Sequence, residues 1–369
     1  MNRIGIRRED KSKWEARVPL VPDDVRKLAG ESGLRFSVQS SATRAFSEDQ
    51  YRAAGADLND DLSQCPIIMG VKEIPPDKLE AGKTYMYFSH TIKGQAANMP
   101  ALRQLMNLGC QLIDYERIAD DKGRRAVFFG RFAGLAGMID SLWALGRRLR
   151  YEGIDTPFAG LKPAHAYKTL DRAEQAIIRA GDDIKENGLP DAMGPFVCGF
   201  AGDGQVSKGA QEIYDLLPVR EVAPADLPSL TFDAKSCLKV VFREEHLVRT
   251  RDDAAAFDLQ EYYDHPDRYQ ADFIRHVPYL TILMNCIYWE RKYPCLITRS
   301  QFQDLYAAPR PARLRVIGDI TCDIDGSLAC TIRTTDPGNP VYVYDPQDGT
   351  ATDGIEGDGP VVLAIDFLP

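Results

Sequence analysis

The strongest constraint on the fold is the alternation of short apolar segments with amphipathic helical segments along the first 130 residues. Segments 66–72 and 84–89 have the strongly apolar character of strands that are buried on both faces of a sheet. The helical segments between such strands include 23–33, which ends at a glycine. Strands that alternate with helices form a parallel sheet with helices on both faces. The sequence therefore predicts a doubly wound α/β domain.

The pattern resumes after a long connecting helix, which indicates a second domain. The helix is predicted over 135–153, and a strand, a glycine turn and a helix follow within 194–218. A length of 369 residues also suits two domains. We predict two Rossmann-type domains with a cleft between them, one over 1–134 and one over 135–330. The C-terminal strands within 331–369 are expected to return to the first domain.

Composition and charge argue against several classes of function. Hydrophobic residues make up 44% of the chain and charged residues 27%, as in soluble globular proteins. The apolar runs are shorter than the roughly 18 residues of a spanning helix, and the N-terminal segment has no signal-peptide core. We therefore expect a protein with no membrane role that is cytoplasmic, or that lies in an organelle whose targeting signal this sequence does not show. A net charge of −9 disfavours nucleic acid as a partner. The cysteines show neither CxxC pairs nor ligand spacing, so no metal site is expected.

A glycine-rich turn in the second predicted domain indicates a nucleotide site. In "VCGFAGDGQVSKGA", two glycines follow a strand and open a helix. Backbone N–H groups in such a turn can approach a pyrophosphate at the N-terminus of the helix. The third glycine of the dinucleotide motif is replaced by serine, so the match is loose. The residues predicted to bind NAD(H) or NADP(H) are Gly202, Gly204, Gln205, Val206 and Ser207.

The next strand, "VREV" at 219–222, is predicted to end near the adenosine ribose. NAD-dependent enzymes usually place Asp or Glu there to bind the 2′-hydroxyl. Glu221 lies one or two positions early, whereas Arg220 is placed to face a 2′-phosphate. The choice between NAD(H) and NADP(H) stays open, and Arg220 favours NADP(H).

Ionisable residues also gather at strand ends and turns of the first predicted domain. The stretches are "WEARVPLVP" (14–22), "GVKEIP" (70–75), "FSHTIKGQ" (88–95), "LIDYERI" (112–118) and "GRRAVFFGRFAGLAGM" (123–138). The carboxyl ends of parallel strands line the ligand crevice of a doubly wound sheet. We therefore expect these stretches to converge.

Together the stretches resemble the lysine-forming saccharopine dehydrogenases. They are more similar still to the lysine–2-oxoglutarate reductase half of the bifunctional lysine-degrading enzyme, within the alanine dehydrogenase/transhydrogenase-like superfamily. The resemblance covers essentially the whole chain, and "EEHLVR" and "YYDHPDRY" favour the reductase branch. It implies an enzyme whose small-molecule substrates are saccharopine, L-lysine and 2-oxoglutarate. Hydride would pass to or from the nicotinamide cofactor through an imine intermediate.

The resemblance also implies roles for individual residues. Lys72 corresponds to the base that takes a proton from the secondary amine, and His90 to the acid/base of imine hydrolysis. By the same resemblance, the residues that contact the substrate include Arg17, Gln95 and Phe129, and those on the cofactor side are Arg124 and Asp319. Lys93 and Glu116 are also expected to contact the substrate.

The chemistry calls for such residues independently of the resemblance. A lysine that acts as a base near neutral pH needs a lowered pKa, and histidine titrates in the useful range. Glu73 and Glu116 are expected to add negative charge near Lys72 and His90. The ligand carries up to three carboxylates, so cations are needed even in an acidic protein.

Two alternative functions stay open. An alanine dehydrogenase-like enzyme, or another amino-acid imine reductase, would use the same base and acid. A catalytically inactive nucleotide-binding regulatory protein would keep the fold without turnover. The joint presence of Lys72, His90 and Arg17 disfavours the inactive protein.

Overall fold

The computed structural model describes residues 2–94, 96–252, 254–307 and 312–366, and the backbone alone of Lys93. It divides into two compact units between Phe128 and Phe129, slightly before the predicted boundary at 134. Each unit is described by itself. No helix within the described ranges is both long and apolar enough to cross a membrane.

The first unit is a parallel sheet with helices between its strands. Its strands are β1 (Arg3–Ile6), β2 (Arg35–Val38), β3 (Asp57–Leu58), β4 (Ile67–Met69), β5 (Thr84–Tyr87) and β6 (Gln111–Asp114). Its helices are α1 (Pro22–Ser32), α2 (Glu48–Ala53) and α3 (Met99–Asn107). The strands lie in the order β3-β2-β1-β4-β5-β6, and every pair is parallel. This is the Rossmann strand order, which reverses between β1 and β4.

Local sequence signals account for the bounds of α1. Pro22 occupies the first turn, where its missing N–H costs nothing. The carboxylate of Asp24 accepts a hydrogen bond from the backbone N–H of Val21 at 3.1 Å. Gly33 ends the helix in the left-handed conformation, with φ of 63°. The helix starts and stops where the sequence predicts within one residue.

Two apolar clusters form the core of the first unit. One joins Val25 of α1 and Tyr51 of α2 to strands β1 and β2. The other joins Leu105 of α3 to β4 and β5. Helices therefore cover the sheet on both sides, as the doubly wound prediction requires.

The second unit contains a larger mixed sheet. Its helices are α4 (Gly130–Tyr151), α5 (Leu170–Asn187), α6 (Gln205–Tyr214), α7 (Glu244–Leu247), α8 (Leu259–Asp264) and α9 (Arg299–Ala307). Its strands are β7 (Val197–Ala201), β8 (Val219–Glu221), β9 (Cys237–Phe242), β10 (Val248–Thr250), β11 (Tyr269–Ala271), β12 (Ile282–Asn285), β13 (Val316–Asp319), β14 (Val341–Asp345), β15 (Thr350–Asp353) and β16 (Val361–Leu363). The main sheet has the order β15-β14-β16-β13-β12-β7-β9-β8. Strands β16 to β8 are parallel, and β14 runs antiparallel to both of its neighbours. The α/β class is confirmed in both units.

The C-terminal strands correct the domain prediction. Within the described part of 331–366, β14, β15 and β16 join the sheet of the second unit instead of returning to the first. The reason lies in β16, whose residues Val361, Val362 and Leu363 are all buried. Successive apolar residues require a strand that is covered on both faces, and β13 offers the parallel partner.

The neighbour of β7 corrects a second prediction. The strand next to β7 is β9, whereas β8 lies beyond β9 at the sheet edge. The residues of β8 are half-buried or exposed, while β9 is almost completely buried. Only the apolar strand suits a position inside the sheet. The end of 219–222 therefore does not adjoin the strand that leads into the glycine turn.

Two glycines let α4 and α6 pack at backbone distance. A Cβ on Gly134 would lie 1.9 Å from the carbonyl oxygen of Val206, and one on Gly209 would lie 2.0 Å from that of Arg131. Neither distance is possible for real atoms, so a side chain at either position forces the helices apart.

We expect Gly209→Ala to lower the free energy of unfolding by about 1–3 kcal/mol, the usual cost of overpacking. Urea titration of the two proteins measures the change. Gly30→Ala is the control, because a Cβ there meets nothing within 4 Å and α1 gains helix propensity. Equal stability of Gly209→Ala and wild type would contradict the packing.

A buried carboxyl in α4 makes stability depend on pH. Burial raises the pKa of Asp140 to about 7, and a hydrogen bond from the backbone N–H of Ala164 at 2.7 Å counters only part of the rise. Between about pH 4 and this value the folded chain holds a proton that the unfolded chain has lost. The stability contributed by Asp140 is therefore present at low pH and lost as pH rises towards 7.

Asp140→Asn should flatten this decline of unfolding free energy between about pH 4 and pH 7. The measurement is urea denaturation at several pH values. The exposed Asp155, changed to Asn, provides the matched control and should leave the slope as in wild type. A steep decline that survives in Asp140→Asn would assign the pH dependence to another group.

Candidate active site

The ends of three neighbouring strands in the first unit carry the two predicted catalytic residues, Lys72 and His90, together with two carboxylates. Glu9 follows β1, Lys72 and Glu73 follow β4, and His90 follows β5. Strand β4 lies between β1 and β5, at the point where the strand order reverses. Doubly wound sheets bind their ligands outside the strand ends at this point. The structure thus brings Lys72 and His90 to one edge of one sheet.

Glu9 fixes the backbone that presents Lys72. One carboxylate oxygen accepts the N–H of Val71 at 2.8 Å, and the other accepts the N–H of Lys72 at 3.0 Å. Burial raises the pKa of Glu9, and the two backbone hydrogen bonds counter only part of that rise. Sequence reasoning missed this residue, although a carboxylate just after the first strand was the available signal.

The backbone and ring of His90 are both constrained. Its φ of 52° lies in the left-handed region that few non-glycine residues adopt. Such conformations cost free energy and cluster at functional sites. Nδ1 lies 2.7 Å from Oε1 of Glu73, and the ring stacks near Phe88 with centroids 6.3 Å apart. The imidazole is therefore held in one orientation.

Glu73 stays ionised throughout the physiological pH range. Burial alone would raise its pKa, but hydrogen bonds from His90 and from Nζ of Lys11 at 2.7 Å outweigh burial and lower the pKa to about 2. An ionised carboxylate can only accept hydrogen bonds, so Nδ1 of His90 carries a proton. Nε2 is then the proton acceptor of the neutral ring, as a general base requires.

Arg17 is oriented by a buried carboxylate that sequence reasoning missed. Its Nε and Nη2 donate to the two oxygens of Glu15 at 2.7 and 2.5 Å, and its backbone N–H donates at 3.1 Å. The side chain of Glu15 is completely buried. Burial and, to a smaller extent, repulsion from Glu15 raise the pKa of Glu9. The charge of Glu15 is therefore felt by Glu9, the residue that holds the backbone of Lys72.

Glu116 lies just beyond β6 with its side chain only 9% exposed. Oε1 is 3.5 Å from Nη1 of Arg125, whereas the buried Oε2 has no hydrogen-bond partner among the described residues. Burial and the charge of Glu9 raise the pKa of the neighbouring Tyr115. The buried oxygen of Glu116 suits a donor from a ligand.

Four other positions predicted to contact the substrate or the cofactor are placed differently. The side chain of Lys93 and the whole of Gln95 lie outside the described residues. Arg124 is 72% exposed and pairs with Asp120 at 2.7 Å. Phe129 is the residue before α4 and falls in the second unit. Their ligand contacts stay predictions.

The glycine turn of the second unit has the geometry of a phosphate-binding turn. Gly202 has φ of 94°, and a Cβ there would lie 3.2 Å from the carbonyl oxygen of Cys286. Its N–H donates to the carbonyl oxygen of Phe242, the last residue of β9, at 2.8 Å. Both the conformation and the close approach require glycine.

The remaining residues of the turn divide into an exposed and a buried part. Gly204 and Gln205 are exposed, and α6 begins at Gln205. Val206 is half-buried. Ser207 is fully buried, and its hydroxyl accepts a hydrogen bond from Gln211 at 3.0 Å. A small serine therefore fills the third glycine position, and the exposed N-terminus of α6 suits a dinucleotide pyrophosphate.

Asp319 is the centre of a buried network. It accepts hydrogen bonds from Asn285 at 2.9 Å, from Thr321 at 2.6 Å and from Thr331. Burial raises its pKa against these hydrogen bonds. The network ties the end of β12 to the end of β13. Asp319 therefore holds the strand ends in place, and its contact with a cofactor stays a prediction.

Comparison with known proteins identifies relatives of the whole chain. Residues 5–136 match the family "Alanine dehydrogenase/PNT, N-terminal domain". Over 99% of its length the chain is 37% identical to alpha-aminoadipic semialdehyde synthase from Arabidopsis thaliana and 38% identical to the mitochondrial protein of that name from Mus musculus. The chain is a homologue of these synthases. The resemblance inferred from the motifs is confirmed. The chain spans 36% and 41% of the length of these two relatives.

A shorter relative and two solved structures are also similar to the chain. Saccharopine dehydrogenase (NAD(+), L-lysine-forming) from Emericella nidulans is 27% identical over the whole chain, which covers 86% of that protein. A solved L-alanine dehydrogenase aligns with a TM-score of 0.58 and 17% identity, over 98% of this chain and 82% of the other. A transhydrogenase from Sinorhizobium meliloti aligns with a TM-score of 0.56 and 14% identity, over 99% and 86%. The two structures confirm the fold.

Among the described residues, no group of three or more His, Cys, Asp and Glu side chains is arranged to hold a metal ion. Ionisable groups of the first unit instead form hydrogen-bonded pairs: Glu73 with His90 beyond β4 and β5, and Glu15 with Arg17 between β1 and α1. Such pairs suit proton transfer and the binding of carboxylates.

Proposed function

We propose that the chain interconverts saccharopine with L-lysine and 2-oxoglutarate. The observation that carries the proposal is the hydrogen-bonded His90–Glu73 pair beside Lys72 at the strand-order reversal. Homology over 99% of the chain to alpha-aminoadipic semialdehyde synthases supports the proposal. The name of the fungal relative supplies saccharopine and L-lysine, and the resemblance of the motifs supplies 2-oxoglutarate. In the oxidative direction, saccharopine, NAD(P)⁺ and water give lysine, 2-oxoglutarate, NAD(P)H and a proton.

Lys72 is the proposed base of the first step. As hydride leaves the carbon next to the secondary amine, Nζ of Lys72 takes the proton from the nitrogen, and an imine forms. Glu9 holds the backbone N–H of Lys72 and of the preceding residue, which restricts where the side chain starts. Positioning of this kind contributes to the rate because the base must lie within hydrogen-bond reach of the amine.

His90 is the proposed acid/base of imine hydrolysis. Nε2 accepts a proton from the attacking water and later returns a proton to the departing lysine nitrogen. Glu73 keeps the proton of the ring on Nδ1 and stabilises the imidazolium that forms after proton uptake. The ion pair is strongest when His90 is charged, which is when the carbinolamine forms or breaks down.

Arg17 is proposed to bind a carboxylate of the substrate. Glu15 holds one side of the guanidinium, the edge that carries Nε and Nη2, by a bidentate contact. The fixed guanidinium plane sets the direction from which a second carboxylate can bind. The partly unsatisfied Glu116 is proposed to accept a hydrogen bond from an ammonium group of the substrate.

A nicotinamide dinucleotide is the proposed cofactor, and it supplies or accepts the hydride. The residues of the second unit fit this cofactor, because Gly202 and the N-terminus of α6 form a turn that a pyrophosphate can approach. Gly204 and Gln205 are the exposed residues of the turn and are proposed to donate backbone N–H groups.

The reductive direction tests the substrate pair. NADH and NADPH oxidation is followed with lysine plus 2-oxoglutarate, and separately with pyruvate plus ammonia. Oxidation that requires both lysine and 2-oxoglutarate is expected. A preference for pyruvate plus ammonia would instead support an alanine dehydrogenase-like enzyme and contradict the proposal.

A further inference from the structure

In the second unit, the strand order makes the end of β9, instead of the end of β8, the expected position of the adenosine ribose. In a Rossmann unit, the strand next to the one that leads into the glycine turn ends at the adenosine ribose. Here that strand is β9, and the N–H of Gly202 donates to the carbonyl oxygen of its last residue, Phe242. The first residue beyond this contact is Arg243. Neighbouring strands lie about 4.8 Å apart, so β8 with Arg220 is displaced by roughly 10 Å from β7.

Arg243 faces the glycine turn. Its Nε lies 3.5 Å from Oδ2 of Asp203, which is the residue between the two glycines of the turn. The Arg243 side chain is 65% exposed, so its guanidinium is accessible to a ligand. The contact with Asp203 shows that the guanidinium reaches the turn, where the adenosine half of a dinucleotide lies.

An aromatic cavity adjoins this position. It is bounded by the glycine turn, by the segment after β9 and by the segment after β12. The aromatic residues that line it are Tyr262, Tyr263, Tyr288, Trp289 and Tyr293. Aromatic faces stack on nucleobases, and a cavity at this side of the turn is where an adenine would lie.

The acidic residue after Arg243 already has a partner. Oε1 of Glu244 accepts a hydrogen bond from the hydroxyl of Tyr263 at 3.0 Å. Glu244 is thereby directed to the wall of the aromatic cavity. The residue at the ribose position is therefore a cation, the side-chain type that accommodates a 2′-phosphate.

We propose that Arg243 binds the 2′-phosphate of NADP(H) and thereby sets the cofactor preference of the chain. The inference rests on the proposed use of a nicotinamide dinucleotide, and it replaces Arg220 by Arg243 as the selective cation. Asp203 neutralises the guanidinium when no phosphate is bound and competes with the phosphate for it.

The test uses 2′,5′-ADP and 5′-AMP, which differ only by the 2′-phosphate, together with NADPH and NADH. Isothermal titration of the full chain gives the dissociation constants. Arg243→Ala is expected to weaken binding of 2′,5′-ADP and NADPH by about 10- to 100-fold, as the loss of a charged hydrogen bond does, and to change 5′-AMP and NADH by less than about threefold. Arg220→Ala is the matched control and should bind all four ligands as wild type does.

Asp203→Asn supplies a change in the opposite direction, which misfolding cannot mimic. Removal of the competing carboxylate should tighten the binding of 2′,5′-ADP and leave 5′-AMP unchanged. Equal binding of 2′,5′-ADP and 5′-AMP by wild type, or loss of selectivity in Arg220→Ala alone, would overturn the assignment of Arg243. A folded wild-type chain that binds neither NADPH nor NADH would overturn the proposed function as well.

Discussion

Replacement of Lys72 by methionine is expected to slow saccharopine oxidation by at least about 100-fold, the usual contribution of a general base. Methionine keeps the length of the side chain but cannot take the proton from the secondary amine. Because this proton leaves as hydride is transferred, no NAD(P)H should form rapidly even in the first turnover. Stopped-flow absorbance at the NAD(P)H band measures both the first turnover and the steady state.

Lys27→Met is the control for this experiment. Lys27 lies on the exposed surface of α1, outside the cluster at the strand ends. Its replacement should leave the rate within a factor of about two, because surface substitutions rarely disturb a distant site. A Lys72→Met rate within about threefold of wild type would remove Lys72 from the role of base.

Replacement of His90 by asparagine should also lower the steady-state rate about 100-fold, but at a different step. Asparagine tolerates the left-handed backbone conformation that His90 adopts, so the loop should keep its shape. Since His90 acts after hydride transfer, one equivalent of NAD(P)H should form in a burst, followed by slow imine hydrolysis. The same stopped-flow experiment distinguishes the burst of His90→Asn from its absence in Lys72→Met.

His265→Asn is the matched control, because His265 is exposed and lies in the second unit. It should show wild-type kinetics. A steady-state rate near wild type for His90→Asn would contradict the role of His90. A slow first turnover without a burst would place His90 before hydride transfer instead of after it.

The alternation of strands and helices was sufficient to predict the doubly wound fold, because that pattern is local. The apolar segments predicted over 66–72 and 84–89 became β4 and β5, which are adjacent parallel strands inside the sheet. The same local reasoning placed Lys72 and His90 at strand ends. Their approach to one another followed from the parallel arrangement of β4 and β5.

The strand neighbours in the second unit were beyond local reasoning. Chain order suggested that β8 lies next to β7, but burial favoured β9, whose side chains are apolar on both faces. For the same reason β16 paired with β13 instead of joining the first unit. Which strand takes a central position depends on how apolar each strand is compared with the others. The sequence of one segment taken alone does not give that comparison.

The carboxylates that orient the site were missed because their partners are distant in sequence or unusually close. Glu9 binds a backbone segment more than sixty residues away, a contact that only the β1–β4 pairing creates. Glu15 binds Arg17, which is only two residues further along the chain. Neither helical nor strand periodicity predicts a side-chain contact at this spacing. The contact between His90 and Glu73 was expected only as nearby negative charge, and the structure adds which ring nitrogen is engaged.

The most direct test of the central claim is the stoichiometry of saccharopine oxidation by the purified chain. Saccharopine is incubated with NAD⁺ or NADP⁺, and lysine, 2-oxoglutarate and reduced cofactor are quantified by mass spectrometry and absorbance. We predict that the three products accumulate in equal amounts and that Lys72→Met forms none of them at a comparable rate. A folded chain that binds the cofactor but leaves saccharopine unchanged would contradict the account.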